Sequence, residues 1–444
     1  MVHKYKLNGM NIALDVSSGA IHILDDISYE MLDMFQETTR AQILEKYGEE
    51  AAGAYDELKE LEEKGELYSE DELEDNITAQ PETIIKAMCL HVSHDCNLRC
   101  KYCFAGTGNF GGARQVMSKE TACRAMEYLA QHSGKRRNLE VDFFGGEPLM
   151  NMDAVKSAVS HAKENEDNWG KKFNFTITTN GLLLNDENIK YINETMDNVV
   201  LSLDGRIETN DRMRKTVNNE GSYDKILPKL KKMVEARGDK KYYIRGTYTR
   251  ENLDFSEDVK QLAEEGFRQI SVEPVVAPKG SGYEIREEDL PTLYKEYEKL
   301  AEYYVEMWQS EKWFNFFHFM IDLEHGPCAI KRLKGCGAGY EYIAVTPDGD
   351  IYPCHQFVGS GEFRMGNIEG GEIDKSISEK FKQANIGSKP ECKKCWAKYY
   401  CSGGCHANAW NNAGSLEKPY EIGCELQRKR IECAIWAKIK TLTH

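Results

Sequence analysis

Between residue 85 and about residue 277, apolar β-rich runs alternate with amphipathic stretches. The runs are Met88–Val92, Leu139–Phe144, Phe173–Thr178, Val199–Leu203, Tyr243–Tyr248 and Ile270–Val276. Between them stand helical patterns such as SKETACRAMEYLAQH and SEDVKQLAEEGF, the second closing on Gly266. Six strand–helix units predict a parallel sheet and an α/β fold class. At this length, and with no dinucleotide fingerprint, the pattern points to a partial, TIM-like (β/α)6 barrel. The active site of such a barrel sits at the C-terminal strand ends.

Residues 1 to about 65 read as a separate small module. YKLNGMNIALDVSSGAIHILD holds two short alternating runs separated by Ser17-Ser18-Gly19, a hairpin signal, and helical patterns follow. Glu66 to Asp75 holds six acids in ten residues and reads as a solvated linker closed by Pro81. Residues 290–308 place Leu293, Tyr297, Leu300, Tyr304 and Trp308 on one helical face, an aromatic stripe suited to packing. After residue 328 the chain turns rich in Cys and Gly and poor in long periodic elements. The expected division is 1–80, 81–310 and 311–444, with no internal repeat.

The chain has 444 residues, 41% hydrophobic and 29% charged, an ordinary globular composition. Acids outnumber bases 73 to 57, for a net charge of −16. That balance argues against a general nucleic-acid or anionic-membrane binder. No apolar run approaches the ~20 residues of a membrane span. Asn8, Asn11 and Asp15 break up any secretory core at the start. A cytoplasmic location is expected. In a reducing cytosol, the 14 cysteines are metal ligands or core residues sooner than disulfides.

Their distribution carries the chemistry. VSHDCNLRCKYCF gives Cys96-x3-Cys100-x2-Cys103 just after the first barrel strand. Zinc would want four ligands, usually as two pairs, and no fourth follows locally. Three thiolates on a [4Fe–4S] cube would leave one iron open. A structural zinc or a chance grouping is the competing reading.

Cx3CxYC after a first strand resembles the radical S-adenosylmethionine (SAM) enzymes. Gly145-Gly146-Glu147-Pro148 ends the second strand, where paired glycines permit close main-chain approach. The resemblance implies that this turn meets the methionine amino group of SAM. Thr179-Asn180-Gly181 ends the third strand, and Leu201-Ser202-Leu203-Asp204-Gly205 the fourth. By the same resemblance Ser202 and Arg214 contact the SAM ribose and carboxylate, and Glu273 is a further SAM-side position. Tyr102, Thr179, Asn180 and Asp204 are candidate cofactor contacts of the same set. Each has a plainer reading as a strand-end cap or ion pair. The implied chemistry is reductive cleavage of SAM to a 5′-deoxyadenosyl radical that abstracts a substrate hydrogen.

Near the C-terminus stand Cys336-x12-Gly349-x4-Cys354, then Cys392-x2-Cys395-x5-Cys401-x3-Cys405, and Cys424. This spacing resembles the SPASM domain of radical SAM peptide-modifying enzymes, which holds two auxiliary [4Fe–4S] clusters. A zinc ribbon on the two close pairs is the rival reading. The resemblance implies Cys336, Cys354 and Cys405 for the first auxiliary cluster, and Cys392, Cys395, Cys401 and Cys424 for the second. With the SAM site, that makes three clusters. Either Cys328 or a substrate thiolate would complete the first. His355 stands where sulfatase-maturing relatives carry an aspartate, as a candidate base or a supporting residue. Cys89, Cys123 and Cys433 fall outside the patterns and read as core residues.

Residues 1–80 resemble the winged-helix-like domains that dock leader peptides of ribosomally made products, binding the leader as an added strand. The whole chain most resembles the maturases of six-cysteine (SCIFF) precursor peptides. That implies a thioether between a cysteine sulfur and an α-carbon in a Cys-rich core. It also implies a precursor peptide as partner and a reduced donor such as ferredoxin or flavodoxin. Formylglycine formation, a C–C crosslink or epimerisation are rivals within the class. An iron–sulfur electron carrier or a zinc-binding peptide adaptor is the rival outside it.

Overall fold

The computed structural model describes residues 1–71, 82–323, 335–371 and 373–442. The second half of the acidic linker, Pro81 and Cys328 lie outside the described residues.

The N-terminal module opens with β1 (Val2–Leu7), β2 (Met10–Asp15) and β3 (Ile21–Leu24), an antiparallel meander in that order. The sequence pattern showed only the turn between β2 and β3. The first turn is Asn8-Gly9, with φ of 46° and 76°. Positive φ at both central residues is the hairpin turn that Asn-Gly favours. Helices Asp26–Met31, Arg40–Tyr47 and Glu49–Glu63 follow. Met31, Leu32, Phe35, Ile43, Ala51 and Leu58 form a small core with Ala13 and Leu67.

The next strands are β4 (Ala87–Ser93), β5 (Leu98–Cys100), β6 (Asn138–Gly145), β7 (Lys172–Thr179), β8 (Asn198–Ser202), β9 (Arg214–Thr216), β10 (Lys241–Tyr248) and β11 (Gln269–Pro274). All six expected strands form, as β4, β6, β7, β8, β10 and β11, paired in parallel in chain order. Helices including Lys119–His132, Met152–Trp169 and Phe255–Glu264 connect them. Register explains the two faces. Val141 pairs with Phe175, Ile177 with Val199, and Leu201 with Ile244. These residues are buried to 1% or less, a continuous apolar face for the helices to cover. Neighbouring positions in the same strands, such as Asp142, Thr178, Ser202, Arg245 and Glu273, face the barrel interior and are polar.

The sheet continues into the C-terminal third. β12 (Asn315–Phe316) pairs in parallel with β11, and β13 (Tyr342–Val345) pairs in parallel with β4. β14 (Asp350–Tyr352) and β15 (Gly366–Asn367) extend that edge antiparallel. The sheet therefore has no break at residue 310.

Helix Leu290–Met307 buries Leu293, Tyr297, Leu300 and Tyr304 as expected. Trp308 departs from the stripe: it caps the helix and is 41% exposed. The C-terminal third also contains a 22-residue helix, Glu421–Leu442, against the expectation of no long periodic element there. It packs against Leu290–Met307. Cys89 and Cys433 are core residues, whereas Cys123 is half-buried with Sγ 3.7 Å from the Ser157 carbonyl. No described helix is long and apolar enough to cross a membrane.

Candidate active site and cysteine sets

The C-terminal strand ends surround a cavity of about 200 Å³. Cys96, Cys100, Tyr102, Cys103, Gly145, Gly146, Glu147, Thr179, Asn180, Ser202, Arg214, Glu273 and His355 all line it. Arg245, Thr247, Phe104, Phe144 and Gln356 also line it and were not singled out from sequence. A more open depression of about 1310 Å³ lies at the opposite strand ends, among Glu140, Asn174, Asn198, Lys241 and Gln269. It holds no cysteine and none of the residues above, so size alone does not mark the site.

The three-cysteine loop is fixed by β5, whose Cys100 pairs with Arg214 of β9. Asn180 reaches back, with Nδ2 2.8 Å from Asn97 Oδ1 and 3.7 Å from Cys96 Sγ. Burial pushes the thiols of Cys96 and Cys100 up to about 12, and raises that of Cys103. Such thiols are protonated at neutral pH unless a metal compensates the thiolate charge.

Two of the candidate contacts support the wall from behind. Asp204 is fully buried and accepts hydrogen bonds from Tyr102 Oη at 2.7 and 2.9 Å and from the Thr247 amide at 3.0 Å. It also lies 3.0 Å from Arg214 Nε. Its carboxylate is thus committed to holding Tyr102 and Arg214 in place. Pro148 is buried at the start of a short 3-10 helix and does not reach the cavity.

Gly145 and Gly146 fit because nothing larger would. A Cβ on Gly145, at φ 123°, would lie 2.2 Å from the Ser93 carbonyl, and one on Gly146 2.2 Å from that of Asp95. The amides of Gly146 and Glu147 donate to those same carbonyls at 2.7 and 2.9 Å. The Glu147 carboxylate accepts from the amides of Leu149 and Asn180 and from Thr179 Oγ1 at 2.7–3.0 Å. Burial still lifts its carboxyl to about 7. The glycine turn, the third strand end and the cysteine loop therefore form one hydrogen-bonded unit.

The cavity suits a ligand with a carboxylate. Arg214 Nε is buried 3.0 Å from Asp204, and Arg214 lines the cavity. A buried guanidinium already held in place by Asp204 is a preorganised anchor for a ligand carboxylate. His355 lies between Phe144 and Phe104, with ring centroids 5.2 and 5.4 Å away. Its Nδ1 shares a 3.1 Å hydrogen bond with Tyr342 Oη, and burial pulls its pKa to about 3, so the ring is neutral.

Asp142 sits beneath the cavity, accepting from Thr178 Oγ1 at 3.1 Å, and burial raises its carboxyl to about 7 against an ordinary 3.8. The folded chain therefore keeps a proton that the unfolded chain has lost by about pH 5. The stability tied to this proton is full below pH 3.8 and falls as pH rises to about 7. The slope is about 1.4 kcal/mol per pH unit. Asp142→Asn should remove that slope, leaving the variant the more stable protein at pH 8. Denaturant midpoints at pH 5 and pH 8 for both proteins check this; parallel shifts would contradict it.

Beyond the barrel the remaining cysteines gather in two sets. Cys354 feels the charges of Cys336 and Cys405, and burial raises the thiols of both Cys354 and Cys336. Cys392, Cys395, Cys401 and Cys424 line a second space of about 50 Å³, with Lys398 and Arg428. Among the described residues no three His, Cys, Asp or Glu side chains converge on one single-ion position. Lys389, also unforeseen, is buried beside both sets, with Nζ 3.1 Å from the Gly403 carbonyl.

The model of the Radical SAM superfamily matches residues 90–272, and that of SPASM, an iron–sulfur cluster-binding domain, residues 336–396. A cysteine-type anaerobic sulfatase-maturating enzyme of Clostridium novyi is 25% identical, over 71% of this chain and 86% of its own. The radical SAM cyclopropyl synthase TigE of Paramaledivibacter caminithermalis is 26% identical, over 76% of this chain and 69% of its own. Among solved structures, anSMEcpe with bound AdoMet has a TM-score of 0.65 at 20% identity, covering 81% of this chain and 99% of that one. Streptococcus suis SuiB bound to its precursor peptide SuiA has a TM-score of 0.55 at 18% identity, covering 95% and 98%. At these identities the structures share the fold.

Proposed function

We propose that this chain, which carries a radical SAM domain followed by a SPASM domain and is homologous to peptide and sulfatase maturases, forms a thioether in a ribosomally made, Cys-rich precursor peptide. The observation that carries the reading is one cavity that joins Cys96, Cys100 and Cys103 to the Gly145-Gly146 turn, Arg214 and Glu273. When bound, SAM and its [4Fe–4S] cluster supply a 5′-deoxyadenosyl radical at this place.

The chain's own residues do the rest. The Gly145-Gly146 backbone gives close approach to the methionine moiety, and Arg214 anchors its carboxylate. Ser202, Thr179 and Asn180 border the nucleoside side. Phe104 and Phe144 flank His355. His355 is held by Tyr342, and with its pKa pulled to about 3 the ring is too weak a base to take a peptide proton, so it acts as a supporting wall residue. The two further sets, Cys336–Cys354–Cys405 and Cys392–Cys395–Cys401–Cys424, would hold auxiliary [4Fe–4S] clusters. A peptide thiolate or Cys328 would complete the first.

The N-terminal module is proposed as a winged-helix-like leader-binding domain. Among the described residues β3 is an unpaired sheet edge with Ile23 55% exposed, whereas β1 contacts the helix Glu421–Leu442. An extended leader can add to β3, raising the local concentration of the core. A reduced ferredoxin or flavodoxin in a reducing cytoplasm fits the electron demand.

Thioether closure removes two hydrogens from the peptide: the α-hydrogen leaves as an atom, and the thiol proton and one electron leave separately. Incubation of reconstituted protein with SAM, reductant and a Cys-rich peptide encoded beside its gene should give a product lighter by two hydrogens. Tandem mass spectrometry should place the crosslink on a cysteine. An isobaric product would point to epimerisation, and loss of the cysteine sulfur to formylglycine; either would overturn the thioether.

A further inference from the structure

Lys389 is among the most deeply buried large side chains of the protein, at 1% exposure. Burying an ammonium in a low-dielectric interior is costly unless opposite charge faces it. Among the described residues its one hydrogen bond is to the Gly403 carbonyl, and no carboxylate lies within ion-pair distance. The charged groups it interacts with are cysteines. Its charge acts on Cys336 and Cys392, and the charges of Cys401, Cys405 and Cys424 act on it. Cys336 and Cys405 belong to one cysteine set and Cys392, Cys401 and Cys424 to the other. The loop geometry explains the placement. Lys389 precedes the helix Pro390–Lys393 that carries Cys392, and Gly403 lies between Cys401 and Cys405. The hydrogen bond thus ties the start of one ligand loop to the middle of the other.

We infer that Lys389 is the shared counter-charge of the two auxiliary iron–sulfur sites, a positioning residue that favours the reduced state of both clusters. The inference rests on the two sets holding clusters, as proposed above. A fixed positive charge beside a cluster stabilises the more negative, reduced form and raises its potential. One lysine between two clusters biases both in the same direction, which eases uptake of an electron leaving the peptide.

The test is an EPR-monitored redox titration of the reconstituted full chain, wild type beside Lys389→Gln and Lys389→Arg. Glutamine keeps a donor for Gly403 and removes the charge; arginine keeps the charge. Lys389→Gln should shift the auxiliary signals negative by at least about tenfold in the reduction equilibrium, about 59 mV for a one-electron couple. The SAM-site cluster in the same sample should stay within about threefold of wild type, as should every cluster of Lys389→Arg. Loss of auxiliary iron from Lys389→Gln alone would also support the charge. Wild-type potentials in Lys389→Gln, or iron loss from both variants alike, would overturn it. Absence of auxiliary signals from the wild type would instead reject the cluster reading itself.

Discussion

Replacing Asp204 with alanine is expected to destabilise the protein by about 3–5 kcal/mol and to disorder the cavity wall. The reason is a buried charge left alone. Asp204 has no solvent exposure and Arg214 only 9%. Desolvation works against the charged guanidinium, and Asp204 together with Tyr102 and Cys100 more than offsets it, holding Arg214 firmly protonated. Without Asp204, the guanidinium, the Tyr102 hydroxyl and the Thr247 amide all lose their acceptor. Each unsatisfied neutral donor adds about 1–3 kcal/mol at most, so the stranded charge dominates. Removing that charge as well should restore part of the loss. Asp204→Ala/Arg214→Met should therefore be more stable than the sum of its single variants. Equilibrium denaturation of the four proteins measures the coupling. An Asp204→Ala variant within about 1 kcal/mol of wild type would show that the pair is not a structural unit.

The same residue shows where sequence reading stops. Asp204 follows the fourth strand beside Ser202, and its position alone reads as a cofactor contact. Only the fold brings Tyr102 and Arg214 to it, across 102 positions in the first case. The barrel strands were legible because apolar positions recur where a helix layer must be covered, and that signal is local. β13 was not, because a four-residue strand owes its pairing to β4, some 250 residues away. The Asn8-Gly9 turn was legible in principle, as Asn-Gly between apolar runs, but was read as part of one strand. The C-terminal helix expected near Cys433, Glu421–Leu442, has a weak periodic signal for another reason. It buries Leu426, Ile431, Cys433, Ala434, Ile435, Trp436 and Ala437, several faces rather than one stripe, so no helical period stands out. The family resemblance, not the spacing alone, implied two groups of cysteines; Cys354 lies near enough to Cys336 and Cys405 to feel their charges, and Cys392, Cys395, Cys401 and Cys424 line one cavity. Lys389 and Arg245 left no sequence signal, since a single basic residue in a polar stretch carries no period.

The largest expected effect belongs to the three-cysteine loop. Changes to groups that merely support a metal ligand cost about 10–100-fold, so loss of a ligand itself should cost more than about 100-fold. Cys96→Ala, Cys100→Ala and Cys103→Ala should each lose SAM cleavage to that extent while folding normally. Each thiol is held high by burial and stabilises the apo fold little beyond its packing. Cys123→Ala, on the helix Lys119–His132 far from the cavity, should cleave SAM like wild type. The deciding measurement is the yield of 5′-deoxyadenosine from anaerobically reconstituted, reduced protein given SAM. Wild type and Cys123→Ala should produce it, and the three loop variants should not. Equal yields from wild type and the loop variants, or none from iron-loaded wild type, would contradict the assignment of the cavity to radical chemistry.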